Sequence, residues 1–227
     1  MMNPEAETDV KVGLATHAAL AAAGGYLDAF TYIGHGHVFA NAMTGNVVLL
    51  ANDVVTRVWA DAARHFFVIV MFLCGITVAR LLQCRSIASV VRVPEAAVLV
   101  GEIAVLSWLS FSTRYGASLR ITMLIAFAAS LQMATFRQVN KKSYSSTFTT
   151  GNLHTMLQSL LSWVLAGHSA EDLRQAGDFA TICSMFFAGA VLGAFATPRL
   201  HNHALWGECA ILLVVLGRVL QVRAKAA

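Results

Sequence analysis

Six apolar segments, each about as long as a membrane-spanning helix, set the strongest limit on how this chain can fold. They cover residues 13–33, 66–84, 95–112, 121–137, 179–197 and 203–220. A helix needs about 20 consecutive apolar residues to cross the hydrocarbon core of a bilayer. Only 12% of the residues are charged, about half the share found in soluble domains. The sequence therefore predicts an all-α polytopic membrane protein, a single membrane domain over residues 1–227, with six transmembrane helices.

A Thr-Gly-Asn tripeptide occurs twice, each time at the start of a shorter apolar segment. Thr44-Gly45-Asn46 lies at the start of residues 44–60, and Thr150-Gly151-Asn152 at the start of residues 151–167. The offset of 106 residues that superposes the tripeptides also superposes Gly101-Glu102 on Gly207-Glu208. Two separate matches at one offset indicate an internal duplication. One repeat unit covers about residues 13–112 and the other about residues 119–220.

The two shorter segments decide how the repeat units are oriented. If each segment enters the membrane and returns, every unit crosses three times and the second unit is inverted. If each segment crosses, every unit crosses four times and the units are parallel. Cytoplasmic loops are enriched in lysine and arginine, and the inverted arrangement with both termini inside places most of the 16 lysines and arginines there. We therefore expect an inverted three-helix repeat with two short broken or re-entrant segments.

Interrupted helices in inverted repeats build the binding sites of secondary transporters near the middle of the bilayer. A helix that begins inside the membrane has unpaired N–H groups in its first turn, and threonine is a favourable N-cap residue. We expect Thr44 and Thr150 to cap the short helices. Asn46 and Asn152 should then face one polar pocket, about 10–12 Å apart, which is the diameter of one helix. The alternative is that each threonine only caps its own helix in a loop.

Asp28 lies about two-thirds of the way along the first apolar segment. A charged side chain at this depth costs about 2.5–3.5 kcal/mol, so it usually faces a cavity or a partner. Asp28 either binds a cation or a proton, or pairs with Arg137 near the end of the equivalent helix. The candidate substrate-binding residues are Asp28, Asn41, Thr44, Gly45, Asn46, Arg137, Asn140, Thr150, Gly151 and Asn152.

Other polar residues give weaker indications of function. Glu102 and Glu208 are related by the repeat, and a helix-dipole position explains them as well as a functional role does. The His-X-His pairs at residues 35–37 and 201–203 have no carboxylate or thiol nearby in sequence to complete a metal site. We therefore interpret them as solvated loop histidines. GxSxG, HExxH and glycine-rich phosphate motifs are absent from the sequence, which argues against an enzyme. We expect no cofactor, no metal and no nucleic-acid partner.

Two long motif blocks resemble the YoaK-like family of bacterial inner-membrane proteins. They are GGYLDAFTYIGHGHVFANAMTGNVVLLA at residues 24–51 and ATFRQVNKKSYSSTFTTGNL at residues 134–153. The resemblance covers essentially the whole chain and implies a six-helix protein of the bacterial cytoplasmic membrane. It implies no substrate or reaction, because the family is a domain of unknown function. Met133 departs from the family, which usually has asparagine at that position.

The leading functional hypothesis is a secondary transporter or channel-like carrier of a small polar or ionic solute. The alternative is a non-transporting sensor or scaffold module that acts through a partner protein. A carrier requires a polar cleft that reaches Asp28 and both Thr-Gly-Asn segments. A scaffold instead predicts that these residues are packed shut and that apolar grooves lie on the outside. In both cases the lipid bilayer surrounds the helices.

The inverted arrangement predicts opposite accessibility for two loops. In a protein whose native cysteines are replaced, single cysteines at residues 85–93 should react from the cytoplasmic side. Single cysteines at residues 199–203 should react from the outer side. Labelling of sealed vesicles of both orientations with a membrane-impermeant reagent measures this. Reaction of both loops from the same side would contradict the inversion and restore the parallel arrangement.

Overall fold

The computed structural model describes residues 13–82, 93–116, 118–136, 138–139, 142–143, 149–165 and 167–226. Eight α-helices account for most of these residues: α1 (Leu14–Gly34), α2 (Met43–Val55), α3 (Trp59–Leu82), α4 (Pro94–Ser110), α5 (Leu119–Thr135), α6 (Thr149–Leu165), α7 (Ala170–Leu200) and α8 (Leu205–Ala226). An antiparallel pair of two-residue strands, β1 (Gln138–Val139) and β2 (Lys142–Ser143), follows α5. A 3₁₀ turn, His201–Ala204, joins α7 to α8.

The six long apolar segments coincide with α1, α3, α4, α5, α7 and α8, and the two shorter ones coincide with α2 and α6. α7 is longer than its apolar segment, because the polar stretch from Ala170 onward forms its first turns. Ser169 caps this helix by accepting a hydrogen bond from the Glu171 N–H. Glu171 and Asp172 in the first turn also favour the helix dipole. A polar helix start therefore extends α7 beyond its membrane-length core.

The helices present apolar surface to the outside. By length and composition, Trp59–Leu82 and the run Ala170–Lys225 that contains α7 and α8 are candidate membrane spans. Leu73 on α3 and Phe187 and Phe195 on α7 are among the exposed large apolar side chains. Large exposed apolar patches mark surfaces that meet a membrane or another protein. The described part of the chain is therefore an α-helical protein with the surface expected of a membrane protein.

Two helix pairs and a shared core organise the molecule. α1 packs against α7 and α8, while α5 packs against α3 and α4. The short helix α2 lies on α3, the short helix α6 lies on α7, and α4 contacts α8. The main buried cluster draws on α1, α4, α5 and α8 and includes Phe30, Leu99, Leu106, Ile125 and Leu212. The long helices thus form the core, and the short helices lie against it.

Glycines bring the backbones of neighbouring helices into direct contact. A side chain at Gly189 of α7 would meet the Ala22 carbonyl of α1, and one at Gly25 of α1 would meet the Phe186 carbonyl of α7. Gly75 of α3 packs in the same manner against the backbone of α5. Because lipid tails are as apolar as helix surfaces, close packing at small residues is a main source of helix association in membranes. The α1–α7 and α3–α5 contacts therefore depend on these positions.

Gly189→Ala is expected to lower stability by about 1–3 kcal/mol, the usual cost of overpacking a filled interior. The reason is that the added methyl group meets backbone atoms of α1, which cannot rotate away. Gly177→Ala on the same helix is the matched control, because a methyl group there meets nothing within 4 Å and alanine favours a helix. Thermal unfolding of the detergent-purified variants measures the difference. Equal stability of the two variants would contradict the close α1–α7 contact.

Candidate functional site

The connection between α1 and α2 turns back into the protein and ends beside Asp28. Asp28 is 5% exposed, and its Oδ1 accepts a hydrogen bond of 2.7 Å from the Asn41 N–H. The buried Asn41 amide donates to the Gly24 carbonyl at 3.4 Å. α2 therefore begins at the level of Asp28, inside the bundle, and not at the end of α1. That α2 is a re-entrant segment of the membrane stays a prediction.

Asn46 and Gly45 fix the shape of that connection. The buried Asn46 side chain accepts a hydrogen bond from the Phe39 N–H at 2.9 Å and donates one to the Phe39 carbonyl at 2.8 Å. A side chain at Gly45 would collide with the Phe39 ring. The same ring stacks on Tyr32 of α1, with 4.8 Å between the ring centroids. Asn46 thus holds the connection in place. Neither Asn46 nor Gly45 is among the described residues that line the adjacent cavity.

A cavity of about 560 Å³ opens beside Asp28. α1 and α7 form two of its walls, and the first turns of α2 and α6 form another. Thr44 of α2 and Thr149 and Thr150 of α6 contribute hydroxyl groups, while Tyr32 and Phe39 contribute aromatic rings. The structure therefore brings Asp28 and both threonines of the repeated tripeptide to one space, and most of the other residues that line this space are apolar.

Asp28 is the one charged side chain among the described residues that line this cavity. Its second oxygen, Oδ2, is buried and has no hydrogen-bond partner in the part of the chain that the structure describes. A buried carboxylate oxygen is costly unless a proton, a cation or a donor satisfies it. Threonine hydroxyls both donate and accept hydrogen bonds, and aromatic faces attract cations. The site can hold a small solute that offers a donor or positive charge to Asp28 and polar groups to the threonines.

The prediction that Thr44 caps α2 is wrong, whereas the prediction that Thr150 caps α6 stays a prediction, because residue 148 lies outside the described residues. α2 begins at Met43, with Ala42 at the N-cap position and no side-chain cap. α6 begins at Thr149, so each threonine of the tripeptide is the second residue of its helix. In α2 the Gly45 N–H already bonds to the Ala42 carbonyl, because the returning connection sets the helix start. Both threonines instead line the cavity.

The two asparagines of the repeated tripeptide are both buried. Neither Asn46 nor Asn152 is among the described residues that line the cavity. Arg137 and Asn140 lie outside the described residues. The proposed pairing of Arg137 with Asp28 therefore stays a prediction.

A buried histidine–aspartate pair joins α2 to α3, and no motif in the sequence predicts it. His65 Nδ1 of α3 lies 2.8 Å from Asp53 Oδ2 of α2, and its Nε2 lies 3.3 Å from the His37 carbonyl. Both side chains are buried. The pair ties α2 to α3 and to the connection after α1. In the sequence, the pair is visible only as two polar residues, one on each side of the α2–α3 connection, that interrupt apolar stretches.

The two His-X-His pairs meet around an aromatic ring. The rings of His35 and His201 both contact Tyr115, with centroids 5.5 and 4.4 Å away. His35 Nδ1 lies 2.8 Å from the Gly116 carbonyl. Among the described residues, no group of three or more histidine, cysteine or acidic side chains is placed to hold a metal ion. These histidines join the ends of α1, α4 and α7.

Comparison with known proteins identifies the family. The family described as "Protein of unknown function (DUF1275)" matches residues 16–217, a range that includes every residue of the cavity. The chain belongs to this family. It is similar to UPF0700 transmembrane protein YoaK of Bacillus subtilis (strain 168), with 23% identity over 196 residues, 85% of this chain and 87% of that protein. No solved structure matches the chain.

The DUF1275 match confirms the YoaK-like resemblance of the two motif blocks. Because the similar protein is named a transmembrane protein of a bacterium, the comparison supports an integral membrane protein and a membrane location. The exposed apolar residues of α3 and α7 support the same conclusion. The cavity beside Asp28 therefore belongs to a member of a family that is described as having an unknown function and that includes a transmembrane protein.

Asn46→Leu is expected to destabilise the protein by about 1–3 kcal/mol, because the backbone N–H and carbonyl of Phe39 lose their partner. Asn52→Leu is the matched control, since Asn52 lies on the exposed face of the same helix. Thermal unfolding in detergent compares the two variants. If both unfold at the temperature of the unaltered protein, Asn46 does not hold the connection.

Proposed function

We propose that this protein is a secondary transporter or channel-like carrier of a small polar or ionic solute in the bacterial cytoplasmic membrane. The cavity beside Asp28 carries the proposal, because threonines from the first turns of two short helices also line it. Helix starts inside a membrane present N–H groups and partial positive charge to a bound solute. Secondary transporters place their substrates at such points.

We further propose an inverted repeat of six crossings as the scaffold. The offset of 106 residues relates α1 to α5, α2 to α6 and α4 to α8, which leaves α3 to correspond to α7. The packing is consistent with this exchange. The contact of α1 with α7 corresponds to that of α5 with α3, and the contact of α1 with α8 corresponds to that of α5 with α4. The α4–α8 contact corresponds to itself, so it marks the axis between the units.

The short helices support the same relation. Within α2 the buried residues are Asn46 and Asp53, and within α6 they are Asn152 and Ser159. Each residue of the second pair follows its counterpart by the 106-residue offset. The same face of each short helix is therefore turned inward, although the residue types differ at one of the two positions. A duplication explains this, whereas a chance recurrence of a tripeptide does not.

The sensor or scaffold alternative expects Asp28 and the tripeptides to be packed shut. The buried Asn41, Asn46 and Asn152 side chains agree with that expectation. The cavity that Asp28, Thr44 and Thr150 line supports the carrier instead. The carrier hypothesis explains this cavity with one bound solute.

Asp28→Asn is expected to weaken solute binding at least tenfold, about 1.4 kcal/mol, because it removes the charge and keeps the shape. The measurement is a thermal-shift screen of small solutes on detergent-purified protein, followed by titration of each solute that stabilises it. Glu171→Gln, an exposed residue in the first turn of α7, should bind like the unaltered protein. A solute that stabilises both variants equally would exclude binding at Asp28. Co-purification of a partner protein without any stabilising solute would favour the scaffold.

A further inference from the structure

Two buried glutamates lie at the contact between α4 and α8, away from the proposed solute cavity. Glu102 is 2% exposed and Glu208 is 0% exposed, and the 106-residue offset relates them. The two positions lie close together along this contact, because the Cys209 sulfur, next to Glu208, lies 3.9 Å from the carbonyl of Ile103, next to Glu102. The two glutamates therefore lie at the same contact between α4 and α8.

Among the described residues, three of the four carboxyl oxygens have no hydrogen-bond partner. Glu102 Oε2 accepts a hydrogen bond of 2.8 Å from Gln132 of α5. Glu102 Oε1 and both oxygens of Glu208 are buried, and no described residue bonds to them. The ion pairs among the described residues all involve other carboxylates. Two ionised carboxylates in such a place would each cost several kcal/mol, so the oxygens are placed to receive a positive charge.

The described polar groups next to the pair are uncharged. From α1, the Tyr26 ring lies against Gly207, the residue before Glu208, and its hydroxyl donates to the Ala204 carbonyl at 2.6 Å. From α8, the Cys209 sulfur lies 3.6 Å from the Ser107 hydroxyl of α4. Gln132 from α5 is neutral, and the 106-residue offset relates it to Tyr26. Each glutamate thus has an uncharged polar neighbour from the first helix of the other repeat unit.

Apolar packing limits what can bind between the two glutamates. Leu99 and Leu106 of α4 and Leu212 of α8 are fully buried in the same cluster. A hydrated metal ion needs several oxygen ligands around it, which this leucine-packed contact does not offer. A proton needs only one carboxyl oxygen and an acceptor beside it. The size and chemistry of the place fit a proton.

We propose that Glu102 and Glu208 form a proton-binding site at the contact between the two repeat units. One of the two carboxyl groups holds the proton, so the pair carries one negative charge less than two ionised glutamates would. Loss of this proton leaves two like charges at the α4–α8 contact, and they repel each other. This site goes beyond the proposed solute carrier and does not depend on it, because no residue of the cavity takes part.

The proposal links the stability of the fold to pH. With the proton bound at this contact, the folded protein holds one more proton than the unfolded chain at neutral pH. Stability is therefore full at lower pH and falls as the pH rises to where the site releases its proton. Glutamine has the shape of a protonated glutamic acid, so Glu102→Gln/Glu208→Gln should fold and lose this part of the pH dependence.

Infrared spectroscopy tests the proposal through the carbonyl stretch of protonated carboxylic acids. The full-length protein is studied in lipid nanodiscs in an Asp28→Asn background, so that the Asp28 carboxyl does not contribute. A carboxylic-acid band is expected at neutral pH and should disappear at high pH. The band should be missing in the Glu102→Gln/Glu208→Gln variant. Glu95→Gln is the matched control on α4 and should keep the band, because Glu95 pairs with Arg223 at 3.0 and 3.1 Å.

Two results would overturn the proposal. One is the absence of a carboxylic-acid band at neutral pH in the Asp28→Asn protein. The other is a band that persists unchanged in the folded double variant. If the double variant does not fold, the pH titration of the band in the Asp28→Asn protein decides alone, since a band that does not titrate also contradicts the proposal. None of these infrared measurements involves solute binding, so exclusion of the proposed carrier function would not change their outcome.

Discussion

The hydrogen bond from the Asn41 N–H to Asp28 determines where α2 begins, and the site follows from that start. Backbone groups cannot bond to lipid, so a non-helical segment at membrane depth persists only where protein or a cavity satisfies it. One oxygen of Asp28 and the side chain of Asn46 satisfy the connection after α1. No described residue bonds to the other oxygen of Asp28, and the side chain lines the cavity. One carboxylate thus connects the fold to the proposed function.

Close helix packing supplies the frame around this connection. Gly25 and Gly189 let α1 and α7 approach until their backbones touch, and these two helices form walls of the cavity. The buried pair of Asp53 and His65 holds α2 on α3, so the first turn of α2 keeps its place beside Asp28. The cavity is therefore bounded by elements from both proposed units and held by contacts on both sides.

The sequence predicted the features that depend on the cost of burying polar groups. The lengths of the apolar segments predicted where the long helices lie. The energetic cost of burying a charge predicted that Asp28 faces a cavity or a partner. Contacts made by backbone atoms were missed, because the partner of Asn46 is the backbone of Phe39, which any residue type offers. The cap prediction failed because the returning connection, and not the preference of Thr44, sets the start of α2. Asp53 and Ser159 could not be matched from the sequence, because the two positions share their burial and not their residue type.

Cross-linking across the cavity tests the central claim that the two tripeptide segments meet beside Asp28. Thr44→Cys and Thr150→Cys are combined in a protein whose native cysteines are replaced, and a short bifunctional thiol reagent is added in lipid nanodiscs. Both positions line the same cavity, so the account predicts an efficient link within one chain, identified by mass spectrometry. Thr44→Cys with Leu165→Cys is the comparison, because Leu165 is the exposed last residue of α6. Equal or lower linking of the 44–150 pair would contradict the account.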